Sequence, residues 1–220
     1  MQGADRAVIG PAAMAYKHGL PGPLRDGVHN FLYNLREPTN FLNFLLQHKV
    51  GKAGETLARF AINSTVGWAG LFDVAKRPYI NLPYRPNGLE DTLGFYGVGP
   101  GPYFFLPIIG PTTVRDFIGV TVDRFSGPAA LGGPFATPAY GFGVTIVGGL
   151  DDRLSIDPEL RTYRDKAVDP YRATRDFYLW RRQSEIDGLR GKPPPPMPKT
   201  ISTIPLPANV SPTAPNPFHG

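Results

Sequence analysis

Three glycines at alternate positions, Gly97, Gly99 and Gly101, look like a dinucleotide-binding fingerprint. The turn of such a fingerprint aims backbone N–H donors at a pyrophosphate and has a helix N-terminus behind it. Pro100 and Pro102 remove two of those donors, and the following FYGVGPGPYFFLPIIG context does not read as a helix. What is left is a loop with unusual backbone freedom. Asp116 and Asp123 raise the possibility of paired carboxylates. They lie seven residues apart on one expected helix, beside Arg115 and Arg124, so structural ion pairing is the favoured reading. His18, His29, His48 and His219 show no metal-ligand spacing. Gly51-Lys52 and Gly191-Lys192 lack the upstream glycine and the following Ser or Thr of a phosphate loop. There is no G-x-S-x-G, no H-E-x-x-H and no cysteine, so no nucleophile elbow, zincin site, disulfide or thiolate chemistry is available. No catalysis, metal or cofactor is expected.

The elements that would carry these residues are short and mostly helical. Leu24, Val28, Phe31, Leu32 and Leu35 have helical spacing. Pro38 disfavours a helical Glu37 and is expected to end that element, with Thr39 or Asn40 capping the next. That second helix (Phe41, Leu42, Phe44, Leu45, Leu46) is apolar almost all round and is expected mainly to fill a core, with a membrane interface as the alternative. Gly51 is expected to break it. Lys52 to Asn63 reads as another helix with Ala53, Leu57, Phe60 and Ala61 on one face, followed by a short apolar element holding Gly67 and Gly70 and a loop over residues 76–86. Thr113 with Asp116 resembles a capping box, opening an amphipathic helix through Val114, Phe117, Ile118, Val122 and Phe125. Residues 127–149 return to Gly and Pro around a VTIV run. From Leu150 to Arg190 the chain is charged and helical, with Pro170 separating two helices. Residues 1–192 are expected to form one helical domain. Residues 193–220 hold ten prolines and are expected to be a disordered or polyproline-like tail.

Composition narrows the function classes. Gly and Pro each number 26, together about a quarter of the 220 residues and about twice their average usage. The net charge of +5 is spread without a basic block, which gives little support to a nucleic-acid partner. No basic-then-apolar N-terminal stretch marks a signal peptide, and no apolar window is long enough for an ordinary transmembrane helix. Yet 23 residues between Asp91 and Arg115, and 26 between Arg124 and Asp151, carry no charge. Such stretches either build a buried core or face lipid at interfacial depth without spanning it.

Taken in order, four segments become specific: LREPTNFLNFLLQHK (residues 35–49), LARFAINSTVGWAGLFDVA (57–75), EDTLGFYGVGPGPYFFLPIIGPTTVRD (90–116) and VDPYRATRDFYLWRR (168–182). Together they closely resemble the MlaA/VacJ family of Gram-negative outer-membrane lipoproteins, from about Asp5 to Arg182. The resemblance implies a mainly α fold: a flat ring of short amphipathic helices in the inner leaflet, with Gly/Pro-rich apolar loops and a charged C-terminal helical arm. It implies a non-enzymatic role in retrograde phospholipid transport that maintains outer-membrane lipid asymmetry. Mislocalised phospholipid would pass through an amphipathic channel to an MlaC-like periplasmic carrier, beside a trimeric porin. By the same resemblance Gly97, Gly99 and Gly101 form the gating loop. Arg115, Asp116, Asp123 and Arg124 are the channel and headgroup candidates, since their helix lies between the two charge-free segments. Arg172, Arg175, Arg181 and Arg182 are the carrier-contact candidates on the arm. The family opens with a signal peptide and a lipobox cysteine, whereas this sequence begins at Met1 shortly before Asp5 and Arg6; a start placed too late is the favoured reading. The competing expectation is a porin-associated scaffold that conducts no lipid, and a phospholipid hydrolase is disfavoured by the missing nucleophile motifs.

Overall fold

The structure is a computed structural model, described over residues 21–106, 110–131, 137, 162 and 166–202. It is mainly helical. In chain order it contains α1 (Gly22–Leu46), α2 (Val50–Thr65), α3 (Leu89–Phe95), β1 (Tyr103–Leu106), β2 (Gly110–Thr113), α4 (Val114–Leu131), α5 (Pro170–Leu189) and the single turn α6 (Lys199–Ser202). The two strands form an antiparallel pair in which Tyr103 faces Thr113 and Leu106 faces Gly110. The GPFATPAYGFG and VTIV segments and the first of the two expected C-terminal helices lie outside the described residues, apart from Thr137, Thr162 and residues 166–169.

Pro38 does not end a helix. α1 runs through it as one 25-residue element, and neither Thr39 nor Asn40 acts as a cap. An interior proline removes one helical hydrogen bond and costs about 3 kcal/mol. Tertiary contacts offset that loss, because the flanking Glu37 and Asn40 are both buried and bonded to neighbouring segments. The break between α1 and α2 comes earlier than Gly51, at Gln47 to Lys49. There His48 adopts φ 58°, and Gly51 lies inside α2. The expected cap at Thr113 is half realised: its hydroxyl accepts from the Asp116 N–H at 3.4 Å, but the Asp116 carboxylate turns to other partners. Pro170 takes the first-turn position of α5, where its missing N–H is harmless, and Asp169 caps that helix by accepting from the Arg172 N–H at 3.0 Å.

α1 and α2 pack along an unusual seam. The residues they bury are Asn34, Glu37, Asn40, Asn43 and Gln47 on α1 with its C-cap, and Thr56, Arg59 and Asn63 on α2. Leu32, Tyr33, Phe44 and Ala53 are the apolar residues buried with them. Meanwhile Leu42, Leu45, Leu46, Val50 and Leu57 of the same helices are exposed, Leu46 at 53%. The apolar stretch from Phe41 to Leu46 therefore does not fill a core; only Phe44 points inward. α4 repeats the pattern, with Val114, Phe117, Ile118, Val122 and Phe125 exposed.

The segment after α5 also differs from the sequence expectation over residues 193–202. Pro195 accepts from the Trp180 indole N–H at 2.9 Å, the Thr200 hydroxyl donates to Asp176 at 2.7 Å, and Ile201 is wholly buried against Ala173 and Phe177. Residues 203–220 lie outside the described residues.

Candidate functional site

The buried polar seam is a connected set of bonds. Glu37 accepts from the Arg59 Nε–H at 2.7 Å, and Asp73 accepts from the Arg59 Nη2–H at 3.1 Å. Arg59 also donates to the Leu82 carbonyl. Asn63 bridges Asp73 and the Ala75 N–H. Burial raises the Glu37 carboxyl to about 7 against the opposing pull of Arg59 and Asn40. Further along, Gln47 and Asn87 exchange two side-chain hydrogen bonds, Gln47 also donates to Thr92, and Thr92 donates to Asn43. Gln47, Asn87, Thr92 and Asn43 satisfy one another in a chain, which is what permits these polar groups to be buried together.

A second buried cluster joins α3, α4 and α5. The Arg182 guanidinium reaches Asp91 at 2.7 Å, Asp116 at 3.2 Å and Glu185 at 2.5 Å. Asp116 also accepts from the Tyr178 hydroxyl at 2.6 Å and pairs with Arg115 at 2.8 Å. Burial pushes the Asp116 carboxyl up, but Arg182, Tyr178 and Arg115 together outweigh it and hold the group below its ordinary range. Asp123 behaves differently. It accepts from the Leu89 N–H at 2.6 Å, and burial lifts it to about 6. α3 and α4 approach closely at this point, since a Cβ on Gly119 would lie 2.3 Å from the backbone of Glu90.

Above this cluster lies the glycine loop. Gly97 has φ 96° and sits just past the end of α3. Its N–H donates to Gly94 and the Val98 N–H donates to Leu93, the paired bonds of a Schellman cap that demands a left-handed residue. Gly101 has φ 70°. Gly99 has no such requirement, and a Cβ there would meet open space. Residues 96–102 are exposed throughout.

The structure thus brings Arg115, Asp116 and Arg182 together, although the sequence had placed Arg182 in a different group. Arg182 is largely buried and engaged with three carboxylates, so it does not present a free surface cation. Asp116 pairs with Arg115 as its sequence neighbourhood indicated, whereas Asp123 accepts from the Leu89 backbone N–H. Asp123 and Arg124 are half-buried. Arg172 is exposed, Arg175 pairs with Asp176, and Arg181 pairs with Glu185. His29 stacks on Tyr33 and His48 lies 3.5 Å from the Tyr96 hydroxyl, while His18 and His219 are outside the described residues. Among the described residues no group of His, Asp and Glu is arranged to hold a metal ion. Sequence reasoning missed the polar seam. Its signal was present: Asn34, Glu37, Asn40, Asn43 and Gln47 recur at helical spacings of three and four, a stripe hidden by reading apolar residues alone.

A family model described as MlaA lipoprotein matches residues 1–185 of this chain. The chain belongs to the MlaA lipoprotein family. The intermembrane phospholipid transport system lipoprotein MlaA of Haemophilus influenzae is 34% identical over 186 residues, covering 83% of this chain and 72% of that protein. Its namesake in Escherichia coli is 33% identical over 193 residues, covering 86% and 74% respectively. A solved structure described under "Structural basis for maintenance of bacterial outer membrane lipid asymmetry" superposes with a TM-score of 0.68 at 31% identity, covering 83% of this chain and 89% of that one. The mainly helical fold is therefore that of the MlaA family. Arg190 and residues 193–202 lie beyond the stretch matched by the family model.

Proposed function

We propose that this chain is the outer-membrane component of an intermembrane phospholipid transport system, lying in the inner leaflet and facing the periplasm of a Gram-negative envelope. The observation that carries the reading is the inverted amphipathicity of α1, α2 and α4. Their polar residues meet one another inside, while Leu42, Leu45, Leu46, Val50, Leu57, Val114, Phe117, Ile118, Val122 and Phe125 face outward. Water would penalise that arrangement, since each large side chain left exposed forgoes about 1.5–3 kcal/mol. Hydrocarbon rewards it, and in hydrocarbon every buried polar group must find a protein partner. Among the described residues no helix is long and apolar enough to cross a membrane, so the exposed faces fit a protein that lies within lipid at interfacial depth. Trp68, 74% exposed, and Phe72 project beside Arg77 and Lys76, the mix of aromatic and basic side chains that suits a headgroup boundary.

In this reading phospholipid passes the protein by a path whose moving part is the loop of Gly97, Gly99 and Gly101, and is handed to an MlaC-like carrier, with a trimeric porin as neighbour. The headgroup path follows α4 near Asp123 and Arg124, since Arg115 and Asp116 neutralise each other. The carrier meets the arm at Arg172, Arg175 and Arg181. Native mass spectrometry of the protein purified in mild detergent tests the core of this reading. Phospholipid bound at a defined stoichiometry is expected. A lipid-free protein that also fails to float with phospholipid vesicles would overturn it and favour a scaffold.

A further inference from the structure

The glycine loop makes almost no packing contacts of its own. Every residue from Tyr96 to Pro102 is exposed, a Cβ on Gly97 would meet only the Arg190 guanidinium within 4 Å, and one on Gly99 would meet nothing. Its conformation is therefore set by hydrogen bonds to its backbone and stems. Arg190, the C-cap of α5, donates Nη2–H to the Gly94 carbonyl at 2.6 Å and Nε–H to the Phe95 carbonyl at 3.1 Å. These are the last carbonyls of α3, immediately before the loop. From the other side Arg115 donates Nη1–H to the Val98 carbonyl at 3.1 Å, and its backbone N–H donates to Pro100 at 3.2 Å. The rest of the Arg115 guanidinium is spent on Asp116, and Asp116 is held by Tyr178 and Arg182 of α5. Tyr96 supplies one further tether, its hydroxyl donating to the Leu46 carbonyl at the end of α1.

α5 thus reaches the loop twice, directly through Arg190 and through Asp116 by way of Arg115. We propose that Arg115 and Arg190 are the positioning residues of the glycine loop, tying its conformation to the placement of the C-terminal helix. The inference rests on the reading of this loop as the moving part of the lipid path. A planar guanidinium is the suitable group because it can bridge two carbonyls with a fixed fork, which an ammonium cannot. A displacement of α5 that breaks the Arg190 fork frees the last carbonyls of α3 from their side-chain tether and leaves the glycine-cap bonds of α3, the Arg115 bonds and the Tyr96 hydroxyl to hold the loop.

Amide hydrogen exchange on the full chain in mild detergent tests this, comparing the parent with Arg190→Gln, Arg190→Lys and Arg115→Gln. Exchange at Gly97 and Val98 is expected to rise about tenfold or more in Arg190→Gln, while amides of α2 around Arg59 stay as protected as in the parent. Arg190→Lys keeps the cation and loses the fork, and is expected to give a smaller rise confined to the same residues. Unchanged exchange over residues 96–102 in both Arg190 variants overturns the proposal. If Arg190→Gln also loosens α2, Arg190→Lys and Arg115→Gln carry the same comparison: a rise confined to the loop supports the proposal, and none refutes it. Phospholipid transfer from the same proteins to acceptor vesicles is measured alongside. A loop that loosens without altering transfer leaves the positioning role standing and refutes the role of the loop in the lipid path.

Discussion

α1, α2 and α4 are built inside out, whereas α5 with the segment after it is built the ordinary way round. In the first group Glu37, Arg59, Asn43 and Gln47 are buried while Leu42, Leu46, Leu57 and Ile118 are exposed. In the second, Ala173, Phe177 and Ile201 are buried and Arg172, Gln183 and Gly188 are exposed. Under the proposed function, one chain has solved two burial problems, each for a different solvent. Where the surroundings are hydrocarbon, apolar contact between helices gains little, so cohesion comes from buried polar pairing. Where the surroundings are water, removing apolar surface is the main driving force. α3 and the Arg182 cluster lie at the junction, and there α5 supplies the cation that the acids of α3 and α4 require.

Substitutions that attack each kind of cohesion sharpen this contrast. The largest loss is expected from Arg59→Met, which leaves the buried Glu37 and the half-buried Asp73 without their cation and costs about 3–5 kcal/mol. Thermal unfolding in detergent measures it, and a shift no larger than that of a surface substitution would break the comparison. Next comes Ile201→Ala, which hollows the apolar contact on α5 at about 2–5 kcal/mol. It should speed amide exchange in α5 while sparing α1 and α2; unchanged exchange would mean that the segment merely rests on the helix. The double variant Leu46→Asp with Ile118→Asp should leave the melting temperature nearly unchanged, yet reduce flotation with phospholipid vesicles about tenfold or more. Unfolding would show that those side chains belong to a core after all.

The smallest expected effect is a pH dependence. The Asp123 carboxyl is raised from 3.8 to about 6 in the folded protein, so the native state holds its proton more tightly than the unfolded chain. Its contribution to stability is complete below pH 3.8 and is lost as pH rises through 6. Asp123→Asn keeps an oxygen to accept from the Leu89 N–H and removes the titration. The parent should therefore lose melting temperature relative to this variant between pH 4 and pH 6.5 or so. Parallel melting curves across that interval would show that Asp123 does not titrate there.

Much was legible before any coordinates. Helical spacing located α2 and α4, the GPGP run excluded a long helix over residues 95–110, and Pro170 marked the start of α5. The four quoted segments carried the family, because their order and content are specific. Other features were not legible for identifiable reasons. Pro38 reads as a stop locally, whereas α1 runs through it with Glu37 and Asn40 on either side bonded to distant segments. Arg182 reads as one of several basic residues on a charged helix, and its three acidic partners lie up to 91 positions away. The proline run reads as a tail because nothing local says that Trp180 and Phe177 await it.

The sequence by itself determined where the apolar and polar stripes fall, where the backbone can take positive φ, and which family the pattern resembles, since all of these follow from residue type and spacing. Which stripe turns inward was decided only by the tertiary structure. A helical stripe has no preferred side until its partner is known, and here the partner of Glu37 is Arg59 on the next helix, not solvent.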